Sequence, residues 1–526
     1  MKKIIDLDFG FADAQNYKRR ENKQRFNEVF IKNEYLDQLC DHGVSFLVGE
    51  KGTGKTAYAV FMSNNDYKNN KSEIKYIRET EYRKFISLKK DKHLQLSDYT
   101  NVWKVILYLL LSQRIKDSEG GAFNFKNFGK FNALNEAIEE YYYGAFSPEI
   151  VQALEFVENS KLAAEVLSKH AKAKGEQSET FTFSESRFQA NLFYIEKKFQ
   201  DAIRQIRLEH NYILFIDGID IRPAGIHYPE YLECVKGLAN AVWELNNDFF
   251  PTVKGGKGRC RVVLLIRPDI FESAGLQNQN AKIRDNSVFL DWKTEYIRHR
   301  NSKIFEVADH LLGVQQDSAD GTLGDYWDAY FPWDSPNVFD TYDCPTSFIN
   351  FLRWSYYRPR DIVTLLTLLK QLTEDKEKTS FSLDDFEARN FQRAYSNYLL
   401  GEVKDQLAFY YEDDDYETFL KFFEFLKGKD KFTYDEFTKA YDEMKKYLGS
   451  LDKSMPQFMK SENEFLQFLY DLNVLCFLER TVDGKPHIHW CFKERNYANI
   501  SPKVKTHCEY QVFYGLAKAL NLGKQY

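Results

Sequence analysis

The sequence predicts an α/β protein with a parallel sheet and helices on both faces, and three observations predict it. Residues 44–48, 212–217 and 261–266 are short apolar runs with the character of buried strands. Helical periodicity fills the intervals between them, the alternation from which parallel sheets are built. Residues 49–56 read Gly-Glu-Lys-Gly-Thr-Gly-Lys-Thr, a full match to the phosphate-binding pattern G-x-x-x-x-G-K-[ST]. An apolar run precedes that stretch and a second one, 57–62, follows it as a buried helix would, giving the strand–loop–helix setting the pattern requires. The expected fold is therefore an α/β P-loop NTPase core.

The remaining elements follow in chain order. Residues 1–40 are polar and mixed in charge, with Phe26, Val29, Phe30, Tyr35 and Leu36 near helical spacing, so an N-terminal arm and a helix beside the first strand are expected. The core is expected to span 41–290. Within it, 73–78 alternates as a strand should, and 100–114 reads as a helix buried on most faces. From 115 to 207 the pattern is helical without strand-like runs: a helical insertion, with a polar loop at 171–179 and a long helix at 188–209. Residues 288–290 supply a last strand. A helical lid is expected over 291–400, including helices at 347–357 and 359–372, with Pro359 in a first turn where its missing N–H costs nothing.

The C-terminal domain is expected over 401–526. Thr433 and Glu436 form a capping-box pattern heading a helix that runs to 448, and a second helix covers 462–472. Strands at 475–480 and 487–492 flank Asp483-Gly484, a hairpin signal. Helices followed by a two-stranded ribbon predict a winged helix at 430–495. The second helix holds no Lys or Arg and two early glutamates, Glu462 and Glu464, which suits packing on protein better than reading DNA.

Composition narrows the function classes. At 526 residues the chain exceeds the roughly 250–300 residues one core supports, so several domains are expected. A net charge of −6 argues against a chain-wide nucleic-acid surface, leaving room for a local basic patch. Seven cysteines without a C-x-x-C pair indicate neither a disulfide framework nor a zinc ribbon and fit a reduced, cytoplasmic setting. The longest apolar stretch, 105–111, falls far short of the roughly 20 residues a membrane helix needs, so no membrane association is expected.

The candidate chemistry centres on the glycine-rich loop. Gly49, Glu50, Lys51, Gly52, Thr53 and Gly54 would present backbone N–H groups to phosphate oxygens at a helix N-terminus. Lys55 would reach the β- and γ-phosphates, and the Thr56 hydroxyl would ligate Mg²⁺. Asp217, closing an apolar strand, is the complementary Walker B carboxylate, holding the magnesium directly or through water. Many such ATPases place a water-polarising Glu directly after it; here that position is Gly218. Asp220 is the next acid, and either orients water, completes the metal shell or caps the loop. Arg267 ends the following strand, where it would sense the terminal phosphate or else be a surface Arg before a Pro-Asp turn. Arg358 and Arg360 flank Pro359, where one could reach back to the phosphates. His487, His489 and Cys491 alternate as metal ligands might, or play a structural part on the ribbon. No N-K-x-D motif supports GTP, so ATP with Mg²⁺ is the expected pair.

Taken together, GEKGTGKT, the Asp-Gly-Ile-Asp after an apolar strand and Leu-Leu-Ile-Arg-Pro-Asp resemble the STAND class of P-loop ATPases, especially its NACHT-like members. Residues 357–361, Tyr-Arg-Pro-Arg-Asp, are similar to the sensor-2 turn of origin-recognition-type AAA+ proteins, with Arg360 at the arginine position. Overall the sequence is most similar to a bacterial P-loop ATPase family with a helical insertion, often associated with phage defence. The resemblance implies an additional strand between the P-loop and Walker B strands and nucleotide-controlled assembly; with Gly218 in place of the glutamate, an ATP-binding, slowly hydrolysing switch is expected. A homo-oligomer or a separate effector protein is the expected partner, since the sequence shows no recognisable nuclease, protease or TIR-like segment; it departs from typical STAND sensors in showing no repeat array after the winged-helix region. An origin-recognition-like, DNA-binding ATPase is the alternative, and a nucleotide-bound scaffold without turnover, suggested by Gly218, is a third reading.

Overall fold

The computed structural model of the chain describes residues 1–77, 98–119, 193, 196–197, 199–201, 203–204, 207–223, 225–254, 256–317, 321–336, 346–411, 413–480 and 486–523. Most of the expected insertion, its loop at 171–179 and the Asp483-Gly484 turn lie outside the described residues.

Five strands, β1 (Phe46–Val48), β2 (Asn70–Tyr76), β3 (Asn211–Asp217), β4 (Cys260–Ile266) and β5 (Ser287–Phe289), form an all-parallel sheet in the order β2-β3-β4-β1-β5. β4 is buried throughout and β3 at every position after its first, as central strands covered on both faces must be, which is why they read as continuous apolar runs. The edge strand β2 instead alternates buried and half-buried positions. β4 pairs with both β1 and β3, so one strand separates the strand before the glycine-rich loop from the strand that ends in Asp217.

The helix Lys55–Asn64 leaves that loop with Tyr58 to Met62 buried in sequence. Helix Asp98–Glu119, longer at both ends than the apolar run suggested, packs against Tyr228–Glu244. Their approach is close at Gly237, where a Cβ would lie 2.5 Å from that of Tyr99, and the Trp103 indole donates to the Cys234 carbonyl at 3.1 Å. Residues 207–210 are irregular, so the helix expected to reach 209 ends earlier.

The chain forms two compact units. One holds residues 33–49 and 55–289, the sheet and its helices. The other groups residues 1–32, 50–54 and 290–526. The arm expected to carry one helix carries two short ones, Lys23–Val29 and Glu34–Gln38, broken by an extended backbone at Phe30. Its first part is tied within the second unit: Ile4 N–H donates to the Lys378 carbonyl at 2.9 Å, and Asp8 N–H to Gln315 Oε1 at 2.7 Å.

That second unit is mostly helical from Lys303–Gly313 to Arg389–Tyr410, and Pro359–Leu372 begins at the proline. Its aromatic content explains the composition: Trp327 stacks on Phe331 with centroids 4.4 Å apart and meets Phe348 and Phe351 edge-on at 4.8 Å. Further on, Tyr434–Ser450 starts with both hydrogen bonds of the Thr433–Glu436 capping box. Glu462–Asp471 follows, burying Phe465, Leu466, Leu469 and Tyr470. The expected two-stranded ribbon is half of a larger antiparallel sheet: β6 (Lys431–Thr433), β7 (Leu475–Arg480), β8 (Pro486–His489) and β9 (Glu509–Val512) in the order β6-β9-β7-β8. The strand expected over 487–492 stops at His489, and a short helix, Cys491–Glu494, takes its place. Cys491 is therefore not an alternating strand partner of the two histidines. Among the described residues, no helix is long and apolar enough to cross a membrane.

Candidate functional site

The pairing register aligns the carboxyl ends of the central strands: Val48 lies opposite Ile266, and Ile216 opposite Leu264. Gly49, Asp217 and Arg267 thus leave the sheet along one edge, the position at which open parallel sheets bind ligands. Gly49 N–H extends the ladder by donating to the Ile266 carbonyl at 3.2 Å.

Around that edge, Thr56 Oγ1 donates to Asp217 Oδ2 at 2.7 Å, while Asp217 Oδ1 accepts the Gly218 N–H at 2.8 Å. Burial pushes the Asp217 carboxyl above its ordinary range; the Thr56 hydrogen bond opposes the rise and the neighbouring Asp220 charge adds to it. The Lys55 ammonium is buried, donates to the Gly49 carbonyl at 2.8 Å and lies 3.7 Å from Asp220 Oδ2. Asp220 Oδ1 is buried with no hydrogen-bond partner. These oxygens are hard donors of the kind that hold a small divalent cation. Two ligands of an octahedral magnesium stand about 2.9 Å apart, near the 2.7 Å between Thr56 Oγ1 and Asp217 Oδ2.

The glycine at position 218 has a steric reason. Its φ is +92°, and a Cβ there would lie 2.6 Å from the Ile77 carbonyl oxygen, because Ile77 N–H pairs with the Asp217 carbonyl alongside. No side chain fits, a glutamate included. Any acid working beside Asp217 has to come from further along, and Asp220 is the one at hand.

Arg267 is not a surface residue: it is 2% exposed, and its guanidinium grips Asp269, with Nε donating to Oδ1 at 3.0 Å. Of its two expected readings, the surface Arg is the one that burial removes.

Within the second unit, residues 50–54 are held through their carbonyls. Arg358 Nη1 donates to the Lys51 carbonyl at 2.9 Å, Arg360 N–H to that of Gly52 at 3.3 Å, and the Trp292 indole to that of Thr53 at 2.9 Å. Thr53 Oγ1 closes the turn on the Glu50 carbonyl at 2.8 Å. Gly52, at φ +87°, has no room for a Cβ that would meet the Arg360 Cβ at 3.2 Å without displacement. The loop's own charges are matched too: Lys51 Nζ lies 2.6 Å from Asp405 and 3.4 Å from Glu402, and Glu50 pairs with Arg495.

Arg358 is the hub. It is 4% exposed, and Nε and Nη2 form a fork on the Asp361 carboxylate at 2.9 and 2.7 Å. Burial works against its charge, but Asp361, with Tyr398 and Glu402 beside it, holds the pKa well above its ordinary value. Asp361 also accepts from Tyr356 N–H at 2.9 Å and the Tyr398 hydroxyl at 3.1 Å. Arg360, expected on the nucleotide, directs its Nε to the Ala12 carbonyl at 3.2 Å and Nη1 to within 3.7 Å of Glu402. Its contact with the loop is through the backbone, and Arg358 makes the side-chain one.

Lys55, Thr56, Asp217 and Asp220 are thus assembled as the sequence suggested. Trp292, Glu402 and Arg495 escaped notice because they stand 239 to 445 residues from their loop partners. The Arg-Pro-Arg-Asp run was the visible trace of the hub. No protein-family model matches this sequence, and no curated protein matches it.

Proposed function

We propose that the chain is an ATP-binding switch that hydrolyses ATP slowly, with a P-loop core, a helical lid and a C-terminal winged helix. The observation that carries this reading is the pair Thr56–Asp217 beside a buried Lys55 at the carboxyl edge of the sheet, directly after GEKGTGKT. Loop amides and Lys55 would bind the phosphates, while Thr56 and Asp217 would hold Mg²⁺, which when bound neutralises phosphate charge. To meet a phosphate, Lys55 exchanges the Gly49 carbonyl for it and moves away from Asp220, freeing that carboxylate to orient water. The absence of a glutamate at 218 makes the turnover slow.

The switching part of the reading is supported by the carbonyl contacts of residues 50–54. A ligand that reshapes this loop acts on Arg358, Trp292, Glu402 and Arg495 together. On the resemblance to STAND ATPases, nucleotide state would control assembly as a homo-oligomer or with a separate effector, in a cytoplasmic antiviral setting. A duplex-binding, origin-recognition-like function is less well supported, since the first turn of helix Glu462–Asp471 carries Glu462 and Glu464 rather than basic groups. Lys55→Ala tests the premise: equilibrium binding of ATP should weaken by about 100-fold or more, as expected when a charge-assisted phosphate contact in a buried site is removed. Unchanged affinity in a folded Lys55→Ala protein would remove the reading, and phosphate release measured with and without duplex DNA separates switch, DNA-dependent ATPase and inert scaffold.

A further inference from the structure

On the C-terminal sheet, far in sequence from the loop, two histidines and two glutamates converge. β8 places His487 and His489 on one face, two residues apart, and the Cys491–Glu494 helix that follows immediately returns Glu494 to them. One ligand atom each from His487, His489 and Glu494 lies within 4.8 Å of the other two. His489 Nδ1 and Glu494 Oε1 are 3.0 Å apart, and His489 Nε2 lies 2.9 Å from Glu479 Oε2 on β7. Phe477 stacks on the His489 ring with centroids 4.5 Å apart and 10° between planes, fixing its orientation. Lys505 Nζ holds the other oxygen of Glu479 at 2.7 Å.

His489 therefore has a carboxylate at each ring nitrogen. A neutral imidazole can donate to one of them only, and its second nitrogen then turns a lone pair toward an anion. A divalent cation held between that nitrogen and its carboxylate would match both. The geometry points to a divalent metal site of the zinc class, with His487, His489 and Glu494 as ligands and Glu479 as the carboxylate that orients His489. Tetrahedral zinc with bonds of 2.0–2.2 Å holds its ligand atoms about 3.4 Å apart, close to the 3.0 Å between His489 Nδ1 and Glu494 Oε1. His487, exposed on the same strand, brings a ring nitrogen within 4.8 Å of both. The carboxylate–histidine–metal arrangement made by Glu479 is the usual way a ligating imidazole is oriented. Three protein ligands leave a fourth position for water. The bound metal pins β8 to the Cys491–Glu494 helix, one residue before Arg495.

The site differs from the expected one in that Glu494 takes the place of Cys491, which is buried. The sequence signal was the His-x-His pair; the carboxylate could not be read because it required the strand to end at His489.

The test uses the full chain stripped with chelator, kept in excess Mg²⁺ and titrated with Zn²⁺ by calorimetry, and with Co²⁺ to read tetrahedral ligand-field bands. One equivalent should bind. His489→Ala should abolish that equivalent, and His487→Ala or Glu494→Ala should weaken it by at least tenfold. Glu479→Gln should cost about 10–100-fold, the range for a group that orients a ligand. Absence of Zn²⁺ binding, or binding of equal affinity in His489→Ala and Glu494→Ala, would overturn the proposal. Thermal unfolding of each variant without metal distinguishes lost ligation from a lost fold. None of these readouts depends on nucleotide.

Discussion

The shoulders of the Gly49–Thr56 loop and its middle are held by different chemistry. At the shoulders, Gly49 N–H continues the β1–β4 ladder and Thr56 donates to Asp217, so the constraint is the sheet's own backbone and one buried carboxyl. In the middle, four carbonyls in a row are bound by Thr53, Arg358, Arg360 N–H and Trp292, and both charged side chains are paired with Glu402, Asp405 and Arg495. The Gly49 ladder bond is made by main-chain atoms and persists under side-chain substitution, whereas ion pairs can be adjusted one at a time. The loop's two shoulders thus depend on the sheet and its buried carboxyl, and the pairing of its centre depends on charged groups.

Substitutions can break this contrast at either side. The largest effect should come from Asp217→Asn, which on the proposed function removes magnesium-dependent turnover by about 10²–10³-fold, measured as phosphate release at saturating ATP. The same variant should stabilise the ligand-free protein. A carboxyl whose folded pKa is raised binds more protons folded than unfolded, so its contribution falls as pH rises above 3.8 through the raised value. Asparagine lacks that loss, and the midpoint of chemical unfolding at neutral pH should correspond to a gain of about 1–3 kcal/mol, vanishing near pH 4. A destabilised Asp217→Asn protein would show that Asp217 is not strained by burial.

On the other side, Arg358→Ala leaves Asp361 buried beside Glu402 without its fork, and should destabilise the protein by about 3–5 kcal/mol in denaturant unfolding. A loss below about 1 kcal/mol would mean the hub is not what secures the loop's centre. Gly218→Ala meets a backbone oxygen and an unfavourable φ, and should cost about 1–3 kcal/mol while leaving Lys55 in place. Smallest of all, Lys51→Ala removes a partly exposed pair with Glu402 and Asp405, and should cost about 0.2–1 kcal/mol, shrinking further at high salt. Equal losses from Lys51→Ala and Arg358→Ala would erase the distinction between the hub and its surroundings.

Much of this was legible in the sequence where a single segment carries its own signal. The apolar runs became β1, β3 and β4, and the Thr433–Glu436 capping box appeared with both its hydrogen bonds. Lys55, Thr56, Asp217 and Asp220 came together because a loop and two strand ends place them by local geometry. What stayed hidden depends on partners distant in the chain. β6 and β9 are three and four residues long, and Lys431–Thr433 has a single buried position, too little for a periodicity to declare itself. The end of β8 at His489, the division of the arm at Phe30 and the pairing of Glu50 with Arg495 are fixed by tertiary contacts that no local pattern encodes.

The four bound carbonyls from Glu50 to Thr53 also have an entropic consequence. A glycine-rich segment free in solution would lose about 1–2 kcal/mol per residue on being ordered, and a ligand arriving at such a segment would bear that loss itself. Here the ordering is completed during folding, by donors to the loop carbonyls, one of them the loop's own Thr53. On the proposed function, a nucleotide then bears only the local change that it imposes on the loop, so loosening the Arg358 or Trp292 contact should show first in a slower on-rate rather than a faster off-rate.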